Sequence, residues 1–111
     1  MPARCDLVYV GGQNGVGPDG RVVGPGVAEQ TRRAMENLRT CLAAAGAGPA
    51  DIVKWTVLAV SGADVCEGFG AAFEGWPRDA PPPAITVAMV AGLAVPGALV
   101  EIAMVAAVPA G

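Results

Sequence analysis

Glu101 is the side chain whose type and setting most suggest chemistry. It is the sole charge after Asp79 and stands inside the run Leu99-Val100-Glu101-Ile102-Ala103-Met104. Burying an unpaired carboxylate is expensive, so its pKa is expected to rise unless a donor is close, and such an acid can exchange protons with water. The structural alternative is a carboxylate satisfied by main-chain N–H groups or by an arginine across a subunit boundary. Lys54, the only lysine, is the one side-chain amine able to form a Schiff base, yet its place beside Asp51 predicts that it points to solvent. There is no histidine, which removes Ser-His-Asp and Cys-His catalysis and histidine-ligated metals. Cys5, Cys41 and Cys66 are odd in number and form no CxxC pair, so neither a zinc ribbon nor a disulfide scaffold is expected, and a reducing compartment is.

The chain that must position these groups has 111 residues, room for a single domain spanning 1–111. Hydrophobic residues make up 53% and charged residues 15%. A domain of this size has too little interior for so much apolar side chain, so self-association is the expected outlet. A net charge of −3 lacks the basic footprint that a phosphate backbone needs, which argues against nucleic acid. No basic segment followed by an apolar stretch opens the chain, and a cytoplasmic location is expected. The uncharged run 80–100 is long enough to cross a bilayer, but Pro81, Pro82, Pro83, Gly92, Pro96 and Gly97 interrupt it. Buried strands, and no membrane, are the reading.

Leu7 to Val10 is an apolar run that enters GGQNGVGPDG at 11–20 and then Arg21-Val22-Val23, which predicts a β-hairpin with a tight turn at Pro18-Asp19-Gly20. A phosphate-cradling loop is the rival, but no GK[ST] follows and the glycines do not lead into a helix. From Val27 the period changes: Val27, Thr31, Ala34, Met35, Leu38, Cys41, Leu42 and Ala45 form one face of an amphipathic helix, and Gly46 is its stop. Met35 and Cys41 are expected to fill core, while Glu29 with Arg33 and Arg32 with Glu36 are spaced to pair on the other face. Asp51 to Val60 reads as a long central strand. Asp64, with Glu67 three residues on, opens a second helix whose Val65, Phe69, Phe73 and Trp76 share a face before Pro77. Two more strands, Ile85 to Ala91 and Ala98 to Val108, are apolar on both faces, so a second copy of the chain is expected to cover what two helices cannot.

The order β-β-α-β-α-β-β, with LVYVGGQNG at 7–15, Gln30, Asn37-Leu38, Ala45-Gly46, Asp51-Ile52-Val53-Lys54, PPPAITV at 81–87 and LVEIAMVA at 99–106, resembles the reactive intermediate/imine deaminase (Rid) family, also called the L-PSP endoribonuclease family. The resemblance covers nearly the whole chain. It implies a chorismate mutase-like α+β sandwich, two helices on one face of a mainly antiparallel sheet, in a homotrimer with ligand clefts at the subunit interfaces. It also implies hydrolysis of reactive enamines and imines without a metal or organic cofactor.

Carried over one position at a time, the resemblance makes Glu101 the acid near the attacking water and Gly12, with Gln13 beside it, part of the ligand-binding turn. The arginine that clamps the substrate carboxylate falls at Ile85, the position of a frequent cysteine at Val87, and the asparagine of the second helix at Gly70. Isoleucine cannot reproduce a bidentate guanidinium–carboxylate contact, so a ligand without a free carboxylate is expected. Arg4 and Arg78 lie on no matched position. Two functions follow: an imine or enamine hydrolase using Glu101, or a non-catalytic trimeric module that binds a small molecule. Ribonuclease activity ranks third, against the charge balance and the missing histidine.

Overall fold

The computed structural model describes residues 4–110. In chain order they form β1 (Cys5–Gln13), α1 (Val27–Ala44), a 3₁₀ turn (Pro49–Asp51), β2 (Ile52–Val60), α2 (Val65–Ala72), β3 (Ala84–Val90) and β4 (Val100–Pro109). One sheet carries all four strands in the order β1-β4-β2-β3. Both β1 and β2 run antiparallel to β4, whereas β3 runs parallel to β2. A parallel neighbour requires a crossover, and α2 supplies it. The α+β architecture with two helices and a mainly antiparallel sheet is therefore as expected.

The expected hairpin is not. Arg21-Val22-Val23 forms no strand beside β1; the segment 14–24 is a loop pinched by a single bridge between Val16 and Val22. The Gly20 N–H donates to the Gly17 carbonyl at 3.0 Å, so the turn at Pro18-Asp19-Gly20 is present without the strand. Glycines give this segment few side chains to pack, and α1 takes its backbone instead. The Val16 carbonyl accepts from Arg33 Nε at 3.1 Å and from Asn37 Nδ2 at 3.0 Å. At Gly15 the loop lies so close to α1 that a β-carbon there would sit 2.5 Å from the Gln30 carbonyl oxygen.

Helix α1 buries Val27, Gln30, Thr31, Ala34, Met35, Leu38 and Leu42, and it ends where Gly46 takes φ of +75°, a conformation costly for any residue with a β-carbon. Cys41 and Ala45, expected in the core, are exposed, because they flank that stripe. The expected charge pairs also differ. Glu29 accepts from the Gly26 N–H at 2.8 Å, capping its own helix, and Arg32 reaches across to Glu74 on the segment after α2 with contacts of 2.6 and 3.0 Å. Arg33 is left with Glu36 at 3.4 Å.

Helix α2 begins as anticipated, with Asp64 Oδ1 accepting from the Glu67 N–H at 3.0 Å. It ends at Ala72, so Phe73 and Trp76 follow the helix and do not extend its face. Both pack on Trp55, Phe73 stacked at 4.9 Å between ring centroids and Trp76 edge-on at 5.5 Å. Trp55, Ile102, Met104 and Ala106 form the sheet side of the core beneath Ala34, Leu38 and Leu42. The alternate residues of the same strands, Leu7 and Tyr9 on β1, Lys54, Thr56 and Leu58 on β2, and Glu101, Ala103 and Val105 on β4, point to the other face, which no element among the described residues covers.

Candidate functional site

Two features of β1 and β4 bring Gly12 and Glu101 together on the uncovered face. Strand pairing runs from Cys5–Pro109 to Val10–Met104 and resumes at Gln13–Ile102, so Gly11 and Gly12 together stand opposite Ala103. This is a β-bulge, which bends the strand and leaves one residue outside the ladder. Glu101, next outward on β4, leans into the bend. A β-carbon on Gly12 would lie 2.5 Å from Glu101 Cδ and 2.6 Å from Oε2, so the carboxylate occupies the space that glycine leaves. The structure therefore brings together two of the residues singled out in the sequence, although 89 positions separate them.

Glu101 is half-buried, and among the described residues no hydrogen bond or ion pair engages its carboxylate. Main-chain donors of its own chain do not satisfy it. Its immediate company is Gly12, Leu58 opposite on β2 and Ala103, with the Tyr9 ring further along β1 and 74% exposed. Such a carboxylate is open to water on one side and held against apolar groups on the other, which suits it to accept and return a proton.

What holds Glu101 in place is a set of amides that the sequence did not flag for this role. Gln30, fully buried on α1, donates from Nε2 to the Gly24 and Gly97 carbonyls at 2.8 and 3.1 Å and accepts at Oε1 from the Leu99 N–H at 2.7 Å. Asn14 Nδ2 donates to the Val100 carbonyl at 3.0 Å. Asn37 Nδ2 in turn donates to the Asn14 carbonyl at 3.2 Å. Residues 99 and 100, which lead directly into Glu101, are thus tied to α1 and to the end of β1. Gln30 and Asn37 belong to the matched blocks of sequence, and their polarity inside a helix that faces the core was the available signal.

The other candidate positions fall elsewhere. Gln13 sits at the end of the bulge and donates from Nε2 to the Gly11 carbonyl at 3.1 Å. Ile85 and Val87 pair with Trp55 and Val57, so their side chains lie on the helix-covered face, away from Glu101 of the same chain. Ile85, partly buried, packs against the hydrophobic core. Gly70 is exposed on α2. Lys54 shares the uncovered face, where its half-buried side chain donates to the exposed Thr86 hydroxyl. Its pairing partner on β4 is Val105, while that of Leu58 is Glu101, which separates ammonium-bearing and carboxylate-bearing rungs by about 13 Å of strand. The side chains of Arg4 and Arg78 are exposed and make no hydrogen bond or ion pair among the described residues. No grouping of three or more cysteine, aspartate or glutamate side chains suited to a metal occurs among the described residues.

Known proteins resemble this arrangement. The model of the family described as Endoribonuclease L-PSP matches residues 3–108. A 2-iminobutanoate/2-iminopropanoate deaminase from Rattus norvegicus is 46% identical over 52 residues, which is 46% of this chain and 38% of the rat protein. The match thus spans well under half the length of that relative. Among solved structures, a putative endoribonuclease L-PSP from Entamoeba histolytica superposes with a TM-score of 0.83 at 31% identity, over 92% of this chain and 80% of the other. A protein of unknown function of the conserved Rid family from Yersinia pestis gives 0.79 at 29% identity, over 92% and 78%.

Proposed function

Because the chain belongs to the endoribonuclease L-PSP family, also called the Rid family, we propose that it hydrolyses a small imine or enamine, with Glu101 handling the proton of water. The water oxygen attacks the carbon of the C=N group while its proton passes to Glu101. That proton is delivered to nitrogen to give a carbinolamine; the remaining hydroxyl proton then passes by way of Glu101 to the amino group as the C–N bond breaks, so that ammonia leaves and a carbonyl compound remains. The backbone of the Gly11–Gly12 bulge is the nearest polar surface to hold the electrophile. An imine is already labile, so positioning and one proton shuttle are sufficient chemistry. The observation that carries this reading is the Glu101 carboxylate, without a hydrogen-bond partner among the described residues and seated against Gly12 on an open sheet face.

The substrate class is a neutral C=N compound. Ile85, which can meet Glu101 only across a subunit boundary, offers no charge to a carboxylate, and the cation that the described residues place on the uncovered face, Lys54, donates to Thr86 about 13 Å away along the strand. The assembly that completes the site is a homotrimer, whose subunits bury Leu7, Tyr9 and Val105 of this face between them. Exposure of 51% at Leu7 and 74% at Tyr9 in a single copy supports that cover. RNA is a poor fit to a chain with a net charge of −3.

A second reading, a trimeric binding module without turnover, draws support from Ile85 and Val87, which place apolar groups on the opposite sheet face from Glu101. Ammonia release from imines generated in situ, measured against the spontaneous rate in buffer, separates the two. The hydrolase reading expects acceleration by the wild type and a fall of about 10²-fold or more in kcat/KM for Glu101→Gln. Turnover that Glu101→Gln leaves intact overturns the mechanism, and no acceleration on any imine leaves the binding module.

A further inference from the structure

Strand β4 is held differently on its two sides where it presents Glu101. Toward β2 the main-chain ladder continues past it, with Leu58 opposite Glu101 and Ala59 opposite Val100. Toward β1 the ladder breaks at the bulge, resumes at Gln13 opposite Ile102 and goes no further. The next bond on that side comes from a side chain, for Asn14 Nδ2 donates to the Val100 carbonyl at 3.0 Å. Glu101 therefore stands between a main-chain rung at residue 102 and a side-chain rung at residue 100.

Asn14 is 8% exposed and is fixed at both ends. Its carbonyl accepts from the Val16 N–H at 2.9 Å and from Asn37 Nδ2 at 3.2 Å, and the next residue, Gly15, lies against the α1 backbone. Gln30 reaches the approach to β4 from the helix, at Gly97 and Leu99, whereas Asn14 comes from the end of the strand that carries Gly12 and so ties the two halves of the site directly. The Glu101 carboxylate makes no hydrogen bond among the described residues, so it takes its position from its backbone. A displacement of about 1 Å at a reacting group can cost about 10²-fold in rate. We propose that Asn14 is a positioning residue: its amide, bound to Val100, stands in for the missing main-chain rung and sets the Glu101 carboxylate against the Gly11–Gly12 bulge, and with it the rate of proton transfer. The effect on rate rests on the hydrolase reading; the effect on geometry does not.

Asn14→Leu keeps the size of the side chain and removes its donor. In the full chain, kcat on imines generated in situ is expected to fall about tenfold or more while KM stays within about twofold of the wild type, because the bulge that holds the electrophile remains. Leu42→Ala, in the core about three turns along α1 from Gln30, controls for general loosening: it lowers stability in urea and is expected to keep kcat. The geometry is read without turnover. A β-carbon on Gly12 would lie 2.7 Å from Glu101 Cγ, so a Gly12 α-proton and the Glu101 γ-protons are expected to share a strong nuclear Overhauser cross-peak in the wild type and in Leu42→Ala, and to lose it in Asn14→Leu. Where Asn14→Leu fails to fold, Asn14→Ser, whose hydroxyl falls short of the Val100 carbonyl, gives the same reading. A cross-peak that survives loss of the amide, an unchanged kcat, or an equal loss of kcat in Leu42→Ala overturns the proposal. A wild type without turnover sinks the hydrolase reading alone, and the cross-peak then decides whether Asn14 places the carboxylate.

Discussion

The two faces of one sheet differ more than any two elements of this molecule. On the helix side, Trp55, Ile102, Met104 and Ala106 are at most 2% exposed, under helices whose stripes repeat at the helical period. One residue along the same strands, Leu7, Tyr9, Leu58 and Glu101 look out on a surface that the described residues leave bare. Both sets are largely apolar, so hydrophobicity alone does not say which face is core. What distinguishes them is the company of the exceptions. The buried amides on the covered side are locked into a hydrogen-bond network, whereas the carboxylate on the bare side makes no hydrogen bond among the described residues and rests against a bulge. Stability resides on the first face, and association and chemistry are assigned to the second.

Mutation can break that division most visibly at its largest side chains. Trp55→Ala should cost about 3–5 kcal/mol in urea unfolding, since it removes the ring on which Phe73 and Trp76 pack. Tyr9→Ser on the bare face should leave the unfolding free energy of a protomer within about 0.5 kcal/mol while shifting the sedimentation of the protein toward monomer. If Tyr9→Ser unfolds the chain without changing its assembly, the two faces are not separable in this way.

A smaller effect is expected where the network on α1 supports the site across the sheet. Gln30→Met keeps the volume but leaves the Leu99 N–H and the Gly24 and Gly97 carbonyls without partners, a loss of about 3 kcal/mol. Gly12→Ala sharpens the contrast in the other direction. The clash is with the end of a flexible glutamate side chain, so chemical denaturation should register less than about 1 kcal/mol. Imine turnover should fall nearly as far as in Glu101→Gln, because the carboxylate must leave the bend.

Some of this was legible in the chain and some was not, for physical reasons. Helix α1 and its glycine stop could be read because a stripe from Val27 to Leu42 repeats over many turns. Val22 and Val23 satisfy a strand pattern locally, while the hydrogen bonds that decide the matter reach the Val16 carbonyl from Arg33 and Asn37, 17 and 21 residues on. Cys41 was placed in the core because flank and centre of a helical stripe differ by a fraction of a turn. Gln30 stands in a matched block of sequence, but its role in the network depends on partners at Gly97 and Leu99, 67 and 69 residues on. The contact of Gly12 with Glu101 was reachable only through resemblance to a family, since no spacing rule links a bulge in the first strand to an acid in the last.

The faintest test concerns the outside of the helix layer, where Arg32 on α1 grips Glu74 beyond α2 with two hydrogen bonds. The hydrogen bond from Arg32 holds the Glu74 carboxyl below the usual glutamate range, and the same bond raises the guanidinium. A carboxyl whose folded pKa is depressed binds fewer protons folded than unfolded. The stabilisation it gives is fully present above its unfolded value, about 4.3, and is lost as pH falls through the lower folded value. Both side chains are half exposed, and solvent screens the pair. Arg32→Ala should therefore leave stability at neutral pH nearly unchanged and flatten slightly its decline in acid, measured by urea unfolding across that range. A large loss at neutral pH would mean that the helix layer is clamped from outside by charge, and the covered face would then owe less to its apolar core than its burial implies.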